Sequence, residues 1–352
     1  MSFTDFFCIG FQKCGTSTLY ELLEHHPDIV LTRDVKEPMF YRVRGLRKIC
    51  GPDFYKERYF GHVADDDPRL KGEINAGLGF SGCARRIGRD FGPDAKLIFM
   101  LRNPVDRSYS AYKYFLARGW LPAYAVRNDL KYGHAKGFDL YVNDVLGSRQ
   151  QSRQIMKKRM KYIVFSQSSY AQCIREYLEW FPQENMKFIL FEDFTKDQHG
   201  ACRELYDFLG IPDSDQVPYG IHANENHERT TAPASAKVLY ILKGLNYILF
   251  EFMFWRRDSA REARKKSQNV YQKIRSVCMQ PDEDHEPMLP QTRAMLAQYY
   301  SREVEELSRI TGIDLCTKWA CSPQPAETVR GKKRLPRTAI AAAAGKKVKG
   351  AV

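Results

Sequence analysis

The stretch FFCIGFQKCGTSTLYELLEHHP, residues Phe6–Pro27, decides the fold. It opens on an apolar run, turns through Gly10 and Gly15, and then falls into helical spacing, which predicts a strand, a loop and a helix. A loop so placed presents unpaired backbone N–H groups at the positive end of a helix dipole, a ready anion site. Gly10 and Gly15 have the spacing of the nucleoside-triphosphate loop G-x-x-x-x-G-K-[ST], yet Thr16 stands where that loop carries its lysine, and Lys13 lies inside the loop. From the crest Lys13 can reach toward a bridging oxygen, while Thr16, Ser17 and Thr18 offer hydroxyls and N–H groups to a terminal phosphate. No second aspartate at a strand end is evident to hold magnesium, so the expectation is chemistry without a metal. On this motif alone, an ordinary strand–turn–helix without ligand stays open.

Working outward, the same alternation returns. KLIFMLRNP (96–104) reads as a buried strand stopped at Asn103-Pro104, and VDRSYSAYKYFLARG (105–119) as the helix after it. LKGEINAGLGF (70–80) reads as a strand leaving through glycines, and GPDFYKERYF (51–60) as a short helix. SSYAQCIREYLEWFP (168–182) is amphipathic, MKFILFEDF (186–194) reads as a strand, and ACRELYDFLGIP (201–212) as a helix closed by Gly210 and Pro212. A long helix is expected over TRAMLAQYYSREVEELSRITG (292–312). The fold class is therefore α/β, a three-layer sandwich with a central parallel sheet flanked by helices.

With 352 residues, 43% of them hydrophobic, the chain can bury a large core. The expected organisation is a single domain over 1–323 followed by a basic low-complexity tail, 324–352, expected to be disordered. The tail carries eight Lys or Arg against Glu327, so it supplies +7 of the net +13, and the body is only moderately basic. That balance favours an anionic ligand in a cleft and calls for no nucleic acid. The nine cysteines stand singly, without CxxC or Cys/His ligand spacing, which argues against a zinc site and a disulfide framework. MSFTDFFCIG enters the first strand directly, without the pattern of a secretory leader, so a cytoplasmic location is expected. VLYILKGLNYILFEFMFW (238–255) approaches the length of a membrane span but is interrupted by Lys243, Asn246 and Glu251. With the basic residues after it, the segment 238–275 reads as a helical insertion or lid, or, through 238–266, as a peripheral membrane contact.

Arg102 ends the strand read in KLIFMLRNP and Ser110 follows eight residues later, so a guanidinium fork and a hydroxyl can grip a second phosphate at the carboxyl edge of the sheet. A pairing of Arg102 with Asp106 is the simpler alternative. Taken in order, GFQKCGTSTL, KEPMFY, LRNPVDRSYSAY and FILFEDFTKDQHGACRELYDFLGIP resemble the motifs of the sulfotransferase family, most of all carbohydrate sulfotransferases of the heparan sulfate type and their bacterial relatives. The resemblance runs from about Phe6 to Trp319. It implies a P-loop-like fold and transfer of a sulfuryl group from the co-substrate 3′-phosphoadenosine 5′-phosphosulfate (PAPS) to a carbohydrate hydroxyl, less readily an amino group, with no metal.

Carried over residue by residue, Lys13, Cys14, Gly15, Thr16, Ser17 and Thr18 match the segment that holds the 5′-phosphosulfate, and Arg102 and Ser110 the pair on the 3′-phosphate. Glu37 matches the carboxylate base of the glycan-modifying branch, with Lys13 stabilising the leaving group. Lys36 beside it could hold acceptor anions or tune Glu37, with a solvated lysine as the simpler alternative. His25 and His26 are rival bases, expected to be cap or surface residues. The chain departs from the family at GEINAGLGF, where Ile74 carries no charge and Asn75 can give a hydrogen bond instead, and at NENHERTTAP, where Arg229 is the candidate for a late donor-binding loop. The acceptor could be anionic, with RQIMKKRMK (153–161) along its groove, although a solvated helix face is the simpler reading of that run. The alternative is a P-loop kinase or nucleotide-binding protein of similar fold.

Overall fold

A computed structural model of the chain describes residues 3–43, 45–80, 82–118, 120–147, 163–221, 228–230, 241–242, 245, 258–281 and 286–320. The basic run 153–161, the tail 324–352 and nearly all of 238–255 lie outside these residues. Five parallel strands make the main sheet: β1 (Phe6–Ile9), β2 (Ile29–Leu31), β3 (Leu70–Asn75), β4 (Lys96–Leu101) and β5 (Met186–Leu190), in the order β2-β3-β1-β4-β5. β1 is central, with Ile9 opposite Asn75 on one side and Phe99 on the other. Its four residues are fully buried, which is why it reads as an unbroken apolar run.

Helices connect the strands: α1 (Thr16–Glu24), α2 (Leu46–Phe60), α3 (Cys83–Phe91), α4 (Pro104–Ala117), α5 (Ala123–Tyr132), α6 (His134–Gly147), α7 (Ile163–Ser166), α8 (Tyr170–Leu178), α9 (Phe191–Lys196) and α10 (Gln198–Leu209). α4 starts where the Asn103 side chain accepts from the Val105 N–H and Pro104 supplies a pre-set φ. The chain passes from β1 to β2 on one side and later returns as β4 on the other, so the strand order switches at β1. In such sheets the crevice at the carboxyl ends beside the switch point is where ligands bind.

Two sequence expectations change. The run MKFILFEDF is a strand only to Leu190, and Phe191 begins α9 with acidic Glu192 and Asp193 in its first turn. The region 51–60 is the second half of a longer α2, kinked at Gly51, whose φ of 77° is outside helical geometry. Beyond α10 the chain forms a small antiparallel ribbon of β6 (Glu228–Thr230) and β7 (Met279–Pro281), with α11 (Asp258–Cys278) leading into β7. α12 (Pro290–Thr311) buries Leu296, Tyr300, Val304 and Leu307, as its periodicity predicts, and α13 (Leu315–Lys318) closes the described part. Among the described residues no helix is long and apolar enough to cross a membrane.

Candidate active site

The loop from Gly10 to Gly15 leaves the carboxyl end of β1 and feeds α1. At Gly10 a Cβ would stand 2.3 Å from the Thr16 methyl, so only glycine lets the helix start so close to the strand. Gly15 caps α1 with φ 90°, and Lys13 itself has φ 74°, a left-handed conformation that costs a non-glycine residue about 1–2 kcal/mol. Strain of this kind persists only where its surroundings enforce it.

Two arginines enforce it. Arg102 donates through Nη1 to the Lys13 carbonyl at 2.9 Å, and Arg107 through Nη1 to the Gln12 carbonyl at 3.3 Å. In a trans peptide the following N–H points away from the carbonyl, so pinning the Gln12 oxygen turns the Lys13 N–H to the opposite side. The N–H groups of Thr16, Ser17 and Thr18 occupy the first turn of α1, where no intrahelical acceptor exists. Cys14 departs from its expected role: its N–H donates to the Phe11 carbonyl at 3.2 Å, and its thiol is fully buried 3.6 Å from the Tyr170 hydroxyl. Burial pushes that thiol up to about 11, so it stays protonated.

Arg107 is the residue that sequence reading missed. It is fully buried, with Nε donating to Ser168 Oγ at 2.6 Å and Nη2 to the Val164 carbonyl, so it bolts the turn between α7 and α8 to the phosphate loop. Its position on the buried stripe of α4 with Ala111 and Phe115 is the signal that could have exposed it. Arg107→Ala is expected to cost roughly 3 kcal/mol of unfolding free energy, because two buried acceptors and one part-buried acceptor lose their donor. Denaturant unfolding measures this, and a loss below 1 kcal/mol would count against the bolt.

Lys13 is drawn down to about 8, first by burial and then by the cations Arg102, Arg118 and Lys113. Its Nζ stands 5.1 Å from the Tyr114 ring centroid, and the Arg118 guanidinium lies 3.6 Å from the same ring. Ser110, Lys113, Tyr114 and Arg118 share the α4 face toward the loop, at i, i+3, i+4 and i+8. Ser110 is half-buried there. Arg102 does not pair with Asp106, which binds Arg293; its guanidinium stacks 4.3 Å from the Phe191 ring and its Nε has no partner. Arg102 thus keeps donors for an anion. β6, which carries Arg229 opposite Gln280, runs along α4, so Arg229 belongs to a strand and not to a loop.

Glu37 is half-buried in the turn after β2, and burial, with the Glu37 charge adding to it, raises the pKa of the Tyr114 hydroxyl. The turn is fixed from β3: Asn75 Nδ2 donates to the Pro38 carbonyl at 2.7 Å and to Glu73 Oε1 at 2.7 Å, while Tyr55 donates to Glu73 Oε2 at 2.6 Å. Lys36 donates to Ser17 Oγ at 2.6 Å, which ties the turn to α1, and burial lowers its pKa against the pull of Glu37. The histidines are elsewhere. His25 caps α1 on the Glu21 carbonyl, and His26 is buried, with Nε2 at the Pro212 carbonyl and Nδ1 accepting from the Asp28 N–H. His26 is therefore not a surface residue, and both its nitrogens are engaged.

A family model described as "Sulfotransferase domain" matches residues 3–231. Among curated proteins, the chain is 28% identical over 210 residues to heparan sulfate glucosamine 3-O-sulfotransferase 6 of Homo sapiens, covering 58% of this chain and 51% of that one. It is 22% identical over 250 residues to carbohydrate sulfotransferase 15 of Mus musculus, covering 58% and 43%. The chain thus spans about half the length of these relatives. Among solved structures, a sulfotransferase from Alicyclobacillus acidocaldarius shares the fold with a TM-score of 0.55 at 24% identity, covering 91% of this chain and 100% of that one. A strand–loop–helix with its lysine inside the loop, held by two arginines on the strand-order switch, together with a match over well over half of the chain, makes this protein a member of the sulfotransferase domain family.

Proposed function

We propose that the protein moves a sulfuryl group from PAPS to a carbohydrate hydroxyl, in line and without a metal. The observation that carries this reading is Lys13: a cation inside the loop, strained in backbone, lowered to about 8 and surrounded by Arg102, Arg118 and Lys113. Such a cluster is costly in the absence of an anion and fits a donor that carries phosphate at two positions. Lys13 and the N–H groups of Thr16, Ser17 and Thr18 would hold the 5′-phosphosulfate, and Arg102 and Ser110 the 3′-phosphate. The acceptor oxygen forms its bond to sulfur as the bond from sulfur to the bridging oxygen breaks. The electron pair goes to the 5′-phosphate beside Lys13, and the hydroxyl proton passes to Glu37. The curated relatives bear carbohydrate and heparan sulfate names, which supports a glycan acceptor.

A kinase would use a strand-end carboxylate for magnesium. Glu73 near the end of β3 is taken by Tyr55 and Asn75, and Glu192 after β5 by the Asn103 N–H and the Trp319 indole. Transfer of labelled sulfate from PAPS into a glycan panel tests the proposal, and no transfer to any member would sink it. The pH profile gives a second check. Because protonated Lys13 is the working form, kcat/KM for the donor should be level below about 8 and fall toward tenfold per unit above it. A profile still flat at pH 10, roughly two units above that pKa, would remove Lys13 from its role.

A further inference from the structure

Ser17 stands one place after Thr16, at the position where the nucleoside-triphosphate loop keeps the Ser or Thr whose hydroxyl binds magnesium. The lysine of that pattern lies forward at Lys13 in this chain, but the hydroxyl is in its usual place. The partner of its oxygen is an ammonium: Lys36 Nζ donates to Ser17 Oγ at 2.6 Å. Lys36 is held there from both sides. Before it, the Thr32 hydroxyl donates to the Val35 carbonyl at 2.9 Å, the Arg33 N–H donates to the Tyr59 carbonyl at 2.9 Å, and Asp34 takes a left-handed φ of 64°. After it, Asn75 grips the Pro38 carbonyl. The Lys36 side chain is half-buried along the face of α1 that carries Ser17 and Tyr20, with Nζ 5.5 Å from the Tyr20 ring centroid. Burial draws its pKa down, and the carboxylates of Glu37 and Glu21 act against that, which favours the ammonium.

An ammonium only donates, so the Ser17 oxygen is the acceptor and its own proton remains to be given. The carbonyl to which a helical serine would turn back, that of Lys13 four residues earlier, is engaged by Arg102. A hydroxyl whose oxygen already accepts from a cation is a stronger donor, because chained hydrogen bonds polarise one another. The first turn of α1, with its N–H groups free of intrahelical acceptors, is where an anion would receive that proton's hydrogen bond. Resting on the sulfotransferase reading, we infer that Lys36 is a positioning residue for the transfer: it takes the place that magnesium has beside this hydroxyl in nucleotide loops, and makes Ser17 a donor to an oxygen of the sulfuryl group. No bond is made or broken at either residue, and Ser17 keeps its proton throughout. Lys13 serves the bridging oxygen, while Lys36, through Ser17, serves the group that moves.

The test is a double-mutant cycle on the full chain, with labelled PAPS and a glycan that the wild-type protein sulfates. Lys36→Met and Ser17→Ala should each lower kcat and kcat/KM for PAPS by about tenfold to hundredfold, the range for a hydrogen bond to a charged group that matters most in the transition state. The two losses should not multiply: the double variant should stay within about threefold of the weaker single variant, because Lys36 acts through Ser17. Affinity for 3′-phosphoadenosine 5′-phosphate, which lacks the sulfuryl group, should stay within a factor of about 2 in all three variants. Losses that multiply, a loss confined to Ser17→Ala, or weakened binding of 3′-phosphoadenosine 5′-phosphate by Lys36→Met would each overturn the inference. Turnover and nucleotide binding by the wild type in the same experiment would show that such a failure belongs to Lys36 and not to the donor reading. A wild type that sulfates no glycan would fail both.

Discussion

Lys13→Met is expected to lower kcat/KM by about 10²–10³-fold, the usual loss when one preorganised donor to developing charge is removed, while making the ligand-free protein more stable. The sign of the second effect follows from linkage. The folded pKa of Lys13, about 8, lies below its unfolded value of 10.5, so between these values the unfolded chain binds more protons and stability rises with pH. At neutral pH the charged lysine therefore opposes folding, by an amount on the order of 2 kcal/mol after allowance for solvent screening. Methionine keeps the stem and removes the charge. Melting temperature and turnover measured on the same preparation separate chemistry from folding: a variant that is both inactive and less stable would contradict the role given to Lys13.

The second large effect is at Glu37. Glu37→Gln keeps the side-chain size, and the turn remains held through Asn75 and the Pro38 carbonyl, so the donor site is left as it was. The expected loss in kcat is about 10²–10⁴-fold, the contribution of a positioned general base. Affinity for 3′-phosphoadenosine 5′-phosphate should stay within a factor of about 2, because in the proposed mechanism Glu37 serves the attacking hydroxyl and not the adenosine phosphates. Residual activity above about one tenth of wild type would remove Glu37 as the base.

The elements that were legible in the sequence are those set by local chemistry. Phe6–Ile9 had to be a buried strand because four apolar residues end at a glycine, and Gly10 and Gly15 announced the loop. Asn103-Pro104 announced the start of α4 through a cap and a fixed φ. What escaped depended on distant partners. Arg107 looks like any helix arginine until Ser168, Val164 and Gln12 surround it. Cys14 sits in a ligand-binding motif, yet Tyr170 and Phe11 claim its two donors. His26 reads as a surface residue, but the Pro212 carbonyl, 186 positions away, accepts from its ring Nε2–H. Phe191 continues an apolar run and still begins a helix, whose first-turn Glu192 accepts from the Asn103 N–H and the Trp319 indole, partners distant in sequence.

The central claim is that the loop, with its lysine displaced inward and its two arginines, is built for a 3′-phosphorylated adenosine sulfuryl donor. Calorimetric titration of the full chain with 3′-phosphoadenosine 5′-phosphate, against ATP with magnesium, tests it most directly. The account predicts tight binding of the first that is unchanged by a chelator, weakened by Arg102→Ala, and no binding of the second; tight magnesium-dependent binding of ATP with none of the 3′-phosphorylated nucleotide would contradict it.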